Sequence, residues 1–416
     1  MMESGAGCGT PEPSGRKGCR NRRADAAEAK GKAVDALICA LLREETPAWP
    51  WEGDESFTAR FLERSAYHGV QALVYHLWQN RMGKAAELGW PKRVLDACHE
   101  QAIAKAMWEL RHRKLLKRVV AAFSELGVQP IFFKGTALAY DLYPAPFLRT
   151  RADTDLLVPP RKRDPVIRVL ESLGFARRPN VSGDFITYEA EFGWMAPVSH
   201  QEHLLDLHWR INNSELLAQL FPHEEVCAAA QGLSALNADA VAVSRVYALL
   251  LACMHQAVHK QAPYYVDDVS YYGGDRLIWL YDIDCLLGNL SLHQYWEFVE
   301  LAERKGLRRT CQRSIERAIS LFHAVVPEEA YRVLARQGSQ KSADRYLEAS
   351  SLYRFCADFR AIPGIPNKLR FLGELFFPPE SYMRSKYAGR KRAWLPWLYL
   401  RRAGTGLRKK LRVRTP

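Results

Sequence analysis

The chain has 416 residues, 48% hydrophobic and 25% charged, with a formal net charge of +13, a balance that suits a globular protein with a sizeable core and excludes collagenous, coiled-coil and wholly disordered classes. No uninterrupted apolar stretch reaches the roughly 18 residues of a membrane span, and the N-terminus lacks the apolar segment of a secretory signal. Twelve Lys and Arg residues from Arg384 onward, with no acid among them, nearly account for the net charge, which leaves a near-neutral body and excludes a globally basic nucleic-acid binder.

Residues 1–30 are rich in Gly, Pro, Ser, Arg and Ala without periodicity and read as a disordered leader. Over 31–127 apolar residues recur at three- and four-residue spacing, which predicts an N-terminal helical region whose last, long helix stops at Gly127. The period then changes. "VQPIFF", "TDLLV", "FITYEAEF" and "HLLDLHWRI" read as strands and "RDPVIRVLESLGF" as a helix, so 128–240 is expected to be a mixed α/β core. The helical period returns over 241–380, predicting a C-terminal helical domain, and 381–416 is a basic tail with interleaved aromatics. Nine scattered cysteines without a C-x-x-C pair fit reduced thiols and a cytoplasmic location.

The chemistry concentrates in "FFKGTALAYDLYPAPFLRTRADTDLLV", Phe132 to Val158. On a strand, Asp153 and Asp155 project to the same side about 7 Å apart at their α-carbons. Two such carboxylates repel one another unless a cation lies between them, and Mg²⁺ takes one or two carboxylates together with substrate phosphates. Asp206, a single acid in the apolar strand "LLDLHW", is the natural third ligand for a two-metal site, with His208 on the same face to support it. Upstream, Gly135 marks a strand-to-helix turn with Thr136 at the helix start, an arrangement that receives phosphate. Lys134 adds charge to that turn, and Arg149 is a candidate for further phosphate oxygens. Arg151 reads as a surface charge.

The order strand, Gly-Thr turn, helix, D-x-D strand, helix and strand with one more Asp resembles the DNA polymerase beta type nucleotidyltransferase superfamily. More closely, Lys134, Gly135, Tyr143, Pro144, Arg149, Asp153, Asp155, Leu156, Leu157 and Val158 resemble the bacterial uncharacterised nucleotidyltransferase family. Thr136 stands where the superfamily usually has Ser or Gly, and Thr154 where an apolar residue is commoner. The resemblance implies an α+β fold with a mixed or mostly antiparallel sheet and helices on one side. It also implies transfer of a nucleotide from an NTP to an acceptor with Mg²⁺, two ions by expectation and Mn²⁺ as a substitute.

Asp153, Asp155 and Asp206 are therefore the expected metal ligands and catalytic acids, with Asp206 either a ligand or the base toward the acceptor oxygen. Lys134, Gly135, Thr136 and Arg149 are expected at the nucleotide. The acceptor stays open among peptide, sugar, small molecule, RNA and protein, with natural-product or polysaccharide tailoring suggested by the likeness. Two other readings remain: a non-catalytic nucleotide-binding regulatory protein, and a phosphotransferase moving the γ-phosphoryl group on the same fold.

His255 and His259 have the i, i+4 spacing of a zinc pair, but no Glu follows in the H-E-x-x-H manner, so packing or a polar contact to the site is expected instead. Asp282 fits a helix cap or an acceptor contact equally well. In the tail, Trp394, Trp397 and Tyr399 suggest docking rather than a purely solvated segment, with RNA, an anionic membrane surface or an acidic peptide as candidate partners.

Overall fold

The computed structural model describes residues 15–81, 88–179, 185–259, 264–266, 269–271, 276–336, 341–387 and 394–412. Four helices come first: α1 (Gly15–Leu42), α2 (Glu55–His68), α3 (Gln71–Arg81) and α4 (Lys92–Glu125). The start of α1 falls inside the stretch expected to be a disordered leader. Between Ala24 and Ala33 the sequence is mostly Ala, Glu and Lys, and this strong helix propensity carries the segment into the helix that follows. The first 14 positions of the leader, and parts of the other predicted segments, lie outside the described residues.

Seven strands then form one sheet: β1 (Ile131–Phe133), β2 (Asp155–Leu157), β3 (Ala176–Arg177), β4 (Glu189–Met195), β5 (Glu202–His208), β6 (Ala230–Gly232) and β7 (Val241–Val243). Their order is β3-β4-β5-β2-β1-β7-β6, with β1 antiparallel to β2 but parallel to β7, and β2 parallel to β5. The α+β class with a mixed sheet is as expected. The sheet reaches further along the chain than expected, however, because β7 lies beyond residue 240 and pairs with β1. Short strands of three residues carry too little alternation to stand out from the flanking helical pattern.

Helices α5 (Lys134–Asp141) and α6 (Arg163–Ser172) follow β1 and β2, and the short α7 (Glu215–Ala218) and α8 (His223–Ala228) follow β5. The C-terminal part begins with α9 (Arg245–His259), a hairpin of β8 (Tyr264–Val266) and β9 (Val269–Tyr271), α10 (Leu277–Gly288), α11 (Leu292–Lys305) and α12 (Arg308–Phe322). It ends with α13 (Glu328–Ala335), α14 (Ser342–Glu348), α15 (Ser351–Ala361), α16 (Ile365–Phe376), α17 (Glu380–Lys386) and α18 (Leu395–Arg412). Among the described residues no helix is long and apolar enough to cross a membrane.

Strand alternation divides the core in two. Phe132, Leu156 and Leu207 face α4 and α6, where they meet Leu116, Val119, Phe123, Val166 and Leu170. Ile131, Phe133 and Leu157 face the opposite way, into a larger core shared by α1, α3, α9, α10 and α12. Helices thus cover both sides of the sheet, not one. The N-terminal and C-terminal helical regions, separate in sequence, pack together in this larger core: Val34 and Ile38 of α1 belong to the same cluster as Ile278 of α10 and Ile315 of α12. The face that carries the aspartates is the one turned toward it.

Candidate functional site

The parallel register of β2 and β5 sets Asp155 beside Asp206 and Leu157 beside His208. Neighbouring strands are about 4.8 Å apart, so the two carboxylates lie side by side on one face. His208 Nε2 is 3.0 Å from Asp155 Oδ1, and its Nδ1 is 3.2 Å from the Glu189 carboxylate of β4. One donor atom each from Asp155, Asp206 and His208 lie within 4.8 Å of one another. Asp153 precedes β2, half-buried, and is not one of that group. Asp155, Asp206 and the histidine that the sequence offered as support thus form the close group.

The electrostatics follow from this crowding. Burial, joined by the Asp155 and Asp153 carboxylates, pushes the Asp206 carboxyl up to about 9. Asp153 is raised as well, by burial and then by Asp155. Burial works in the same direction on Asp155, but the Lys134 ammonium and the His208 imidazole outweigh it and hold that carboxyl well below the usual carboxylate range. Lys134 Nζ lies 2.5 Å from Asp155 Oδ1. It reaches there from a left-handed backbone, φ 54°, a conformation that costs a non-glycine residue about 1 kcal/mol or more. A strained lysine at the strand end thus supplies positive charge to the carboxylates. Two carboxylates and an imidazole gathered this closely form a donor set that fits a metal ion.

Behind β2 the alternate residue, Thr154, points to the other side of the sheet. Its hydroxyl meets His112 Nε2 at 2.7 Å and the Thr136 hydroxyl at 2.8 Å. Thr136 also accepts from Arg151 Nε at 2.9 Å, and Arg151 pairs with the buried Glu109 at 2.8 Å. The Thr136 side chain is therefore inside the protein, engaged with the scaffold and not turned toward a ligand. Arg151 is a buried ion-pair partner and not the surface charge expected, because Glu109 on α4 neutralises it 42 residues away in sequence. Trp108, His112 and His203 stack alongside, with ring centroids 4.2 to 5.2 Å apart.

Arg149 has a different partner from the one expected. Its Nη2 is 2.6 Å from Asp282 Oδ2 and its Nε 3.2 Å from Oδ1, while the Tyr143 hydroxyl donates to the same carboxylate at 2.7 Å. Burial acts against the guanidinium charge, and Asp282 more than offsets it. Asp282 is thus a clamp between α10 and the segment leading to β2. Gly135 makes room for that clamp: a Cβ there would lie 2.8 Å from Arg149 Nη1. Since Asp282 prevents the guanidinium from withdrawing, Gly135→Ala is expected to cost about 1–3 kcal/mol in urea unfolding. An unchanged midpoint would mean that the arginine is free to move.

The His255 and His259 rings lie tilted against each other with centroids 4.3 Å apart, and both pack against Trp279 of α10. Burial, the neighbouring His259 and the Lys134 ammonium keep His255 well below its ordinary pKa. Burial and Lys134 lower His259 to about 4. Neither joins the donor group on β2 and β5. The ring contacts of the pair are packing contacts with Trp279.

The family model of an uncharacterised nucleotidyltransferase matches residues 55–323, and the chain belongs to that family. The matched span carries every residue of the site described above, and the family supports a general nucleotidyltransferase activity with a nucleotide substrate. None of the curated proteins and none of the solved structures matches the chain.

Proposed function

We propose that the protein is a divalent-metal-dependent nucleotidyltransferase of the 2.7.7 type that moves NMP from an NTP, ATP among the candidates, to an acceptor oxygen. The observation that carries this reading is the side-by-side register of Asp155 and Asp206, with His208 closing the donor group and Lys134 adjacent. When bound, Mg²⁺ or Mn²⁺ would lower the charge on the phosphates and polarise the oxygens that attack and leave. Asp155, Asp206 and His208 would hold the first ion, and Asp153, raised by burial and by Asp155, stands nearby to share a second.

The remaining roles belong to the turn after β1. Lys134, paired here with Asp155, would add positive charge for the triphosphate, and the Gly135 turn at the start of α5 would offer backbone amides to phosphate oxygens. The acceptor oxygen attacks the α-phosphorus, the bond to the β-phosphate oxygen breaks, pyrophosphate leaves, and the acceptor proton passes to Asp206 or to water. Thr136 and Arg149 act from behind the turn by holding it, and not by touching the nucleotide. The acceptor class remains peptide, sugar, small molecule, RNA or protein. Cys39, Cys98, Cys227, Cys253, Cys285, Cys311 and Cys356 are free thiols, which supports a cytoplasmic location.

The deciding experiment incubates the full chain with Mg²⁺, cell extract as acceptor pool, and NTPs labelled at either the α or the γ phosphate. Label from the α position should appear on an acceptor with release of pyrophosphate. Transfer of the γ label with formation of NDP would replace this reading with phosphotransfer, and nucleotide binding without either product would make the protein a non-catalytic binder.

A further inference from the structure

The basic, aromatic C-terminus takes no part in the site, yet it is built. α18 is fixed to the end of α16 through one face: Leu398 is buried, the Tyr399 hydroxyl donates to Pro378 O at 2.8 Å, and Arg402 donates to Leu375 O at 2.7 Å. The Phe377 and Tyr399 rings meet edge to face at 5.7 Å. The other side of the helix is turned outward, with Trp394 at 75% and Leu400 at 71% exposure and Trp397 beside them. In the sequence, Trp397, Leu400 and Gly404 keep the three- and four-residue spacing of a single helical face. On α16, Ile365, Leu369 and Phe376 are also each more than half exposed and share a face by their spacing.

Aliphatic and tryptophan side chains held in water, on two helices tied to each other, are costly unless something covers them. The charge indicates what does. No acid occurs after Glu380, while twelve Lys and Arg residues follow from Arg384, and Glu380 and Glu374 are each paired with an arginine of the same helix. Phosphate backbones would answer the charge and could stack the aromatics, but they offer nothing to Ile365, Leu369 or Leu400. A lipid surface answers both features, since acyl chains accept the aliphatic residues, tryptophan prefers the headgroup level, and anionic headgroups meet the lysines and arginines. We infer that α16 and α18 form a peripheral docking surface for an anionic membrane, holding the nucleotidyltransferase-family core against it without spanning it. This inference is independent of the reaction the core performs.

Flotation of the full chain with vesicles tests it. Binding to phosphatidylcholine containing about one third phosphatidylglycerol should exceed binding to pure phosphatidylcholine at least tenfold, and should weaken as salt screens the surface. The variant Trp394→Ser with Leu400→Ser should lose about tenfold or more of that binding, the scale set by two apolar side chains that no longer insert. Lys409→Glu with Lys410→Glu should lose a similar factor. Unchanged thermal melting confirms that the variants are folded, and Leu369→Ser on α16 gives a second apolar variant should the first melt early. Equal binding to both vesicle types overturns the inference. So does retention of binding by the serine variants together with displacement by tRNA, which would make this a polyanion surface only.

Discussion

Asp155→Asn and Asp206→Asn are each expected to lower nucleotidyl transfer about a thousandfold or more, while shifting the stability of the metal-free protein in opposite directions. The common loss follows because each replacement removes one of the two anionic oxygen donors of the close Asp155, Asp206 and His208 group. The opposite stabilities follow from the neighbours. Asp155 is an ion-pair partner, held ionised against burial by Lys134 and His208. Its replacement leaves an ammonium facing an amide, a loss of about 1–3 kcal/mol given that the Lys134 side chain is one third exposed. Asp206 is the crowded acid, disfavoured by burial and by two adjacent carboxylates. The isosteric amide is neutral without taking up a proton on folding, so Asp206→Asn should melt at or above the parent temperature in EDTA.

Added Mg²⁺ separates the roles further. A cation that binds only the folded state raises the melting temperature by mass action, so the parent should gain stability with Mg²⁺ and both variants should gain little. Thermal melts with and without EDTA, beside the transfer assay, test this directly. If Asp206→Asn responds to Mg²⁺ as the parent does, or transfers label at a parental rate, the β5 carboxylate is not a ligand and the proposed site is wrong. A site that improves in stability when its function is removed is a common outcome where like charges are gathered for catalysis.

The parts of this site that were legible in the sequence are those governed by short-range rules. The lone acid in "LLDLHW" pointed to Asp206 and alternation placed His208 with it, whereas the i, i+2 rule for Asp153 assumed a strand that begins only at Asp155. What escaped was the partner of each buried charge. Nothing near Arg151 in sequence shows that Glu109, on a helix far upstream, will meet it, and nothing near Arg149 shows that Asp282 will. A periodicity that marks Arg149 as adjacent to the D-x-D cannot say whether its guanidinium turns toward a phosphate or back into the core. Thr154 did carry a signal. A polar residue alternating with two aspartates in a strand otherwise apolar must have a hydrogen-bond partner on the far face, and the structure supplies His112 and Thr136. The merging of the two helical regions was not legible, because helical spacing reports which face is apolar and not which helix will cover it.

The second large effect concerns that hidden clamp. Arg149→Ala is expected to destabilise the protein by about 3–5 kcal/mol, because it leaves the Asp282 carboxylate buried without its counter-charge. Among the described residues, Tyr143 is the donor to it that remains. Asp282→Ala should cost a similar amount by stranding the guanidinium. Replacing both together, as Arg149→Met with Asp282→Leu, should recover most of the loss, since an apolar pair of similar volume carries no desolvated charge. Urea unfolding of the single variants and the double variant measures this. The double variant also decides between the two readings of Arg149. Every donor of its guanidinium that has a partner here is directed at Asp282 or at the Thr150 carbonyl, so a positioning role predicts that the restabilised double variant keeps transfer within about tenfold of the parent. A double variant that folds as firmly as the parent but has lost transfer by a thousandfold would return Arg149 to the nucleotide, and would require the Asp282 pair to open when substrate binds.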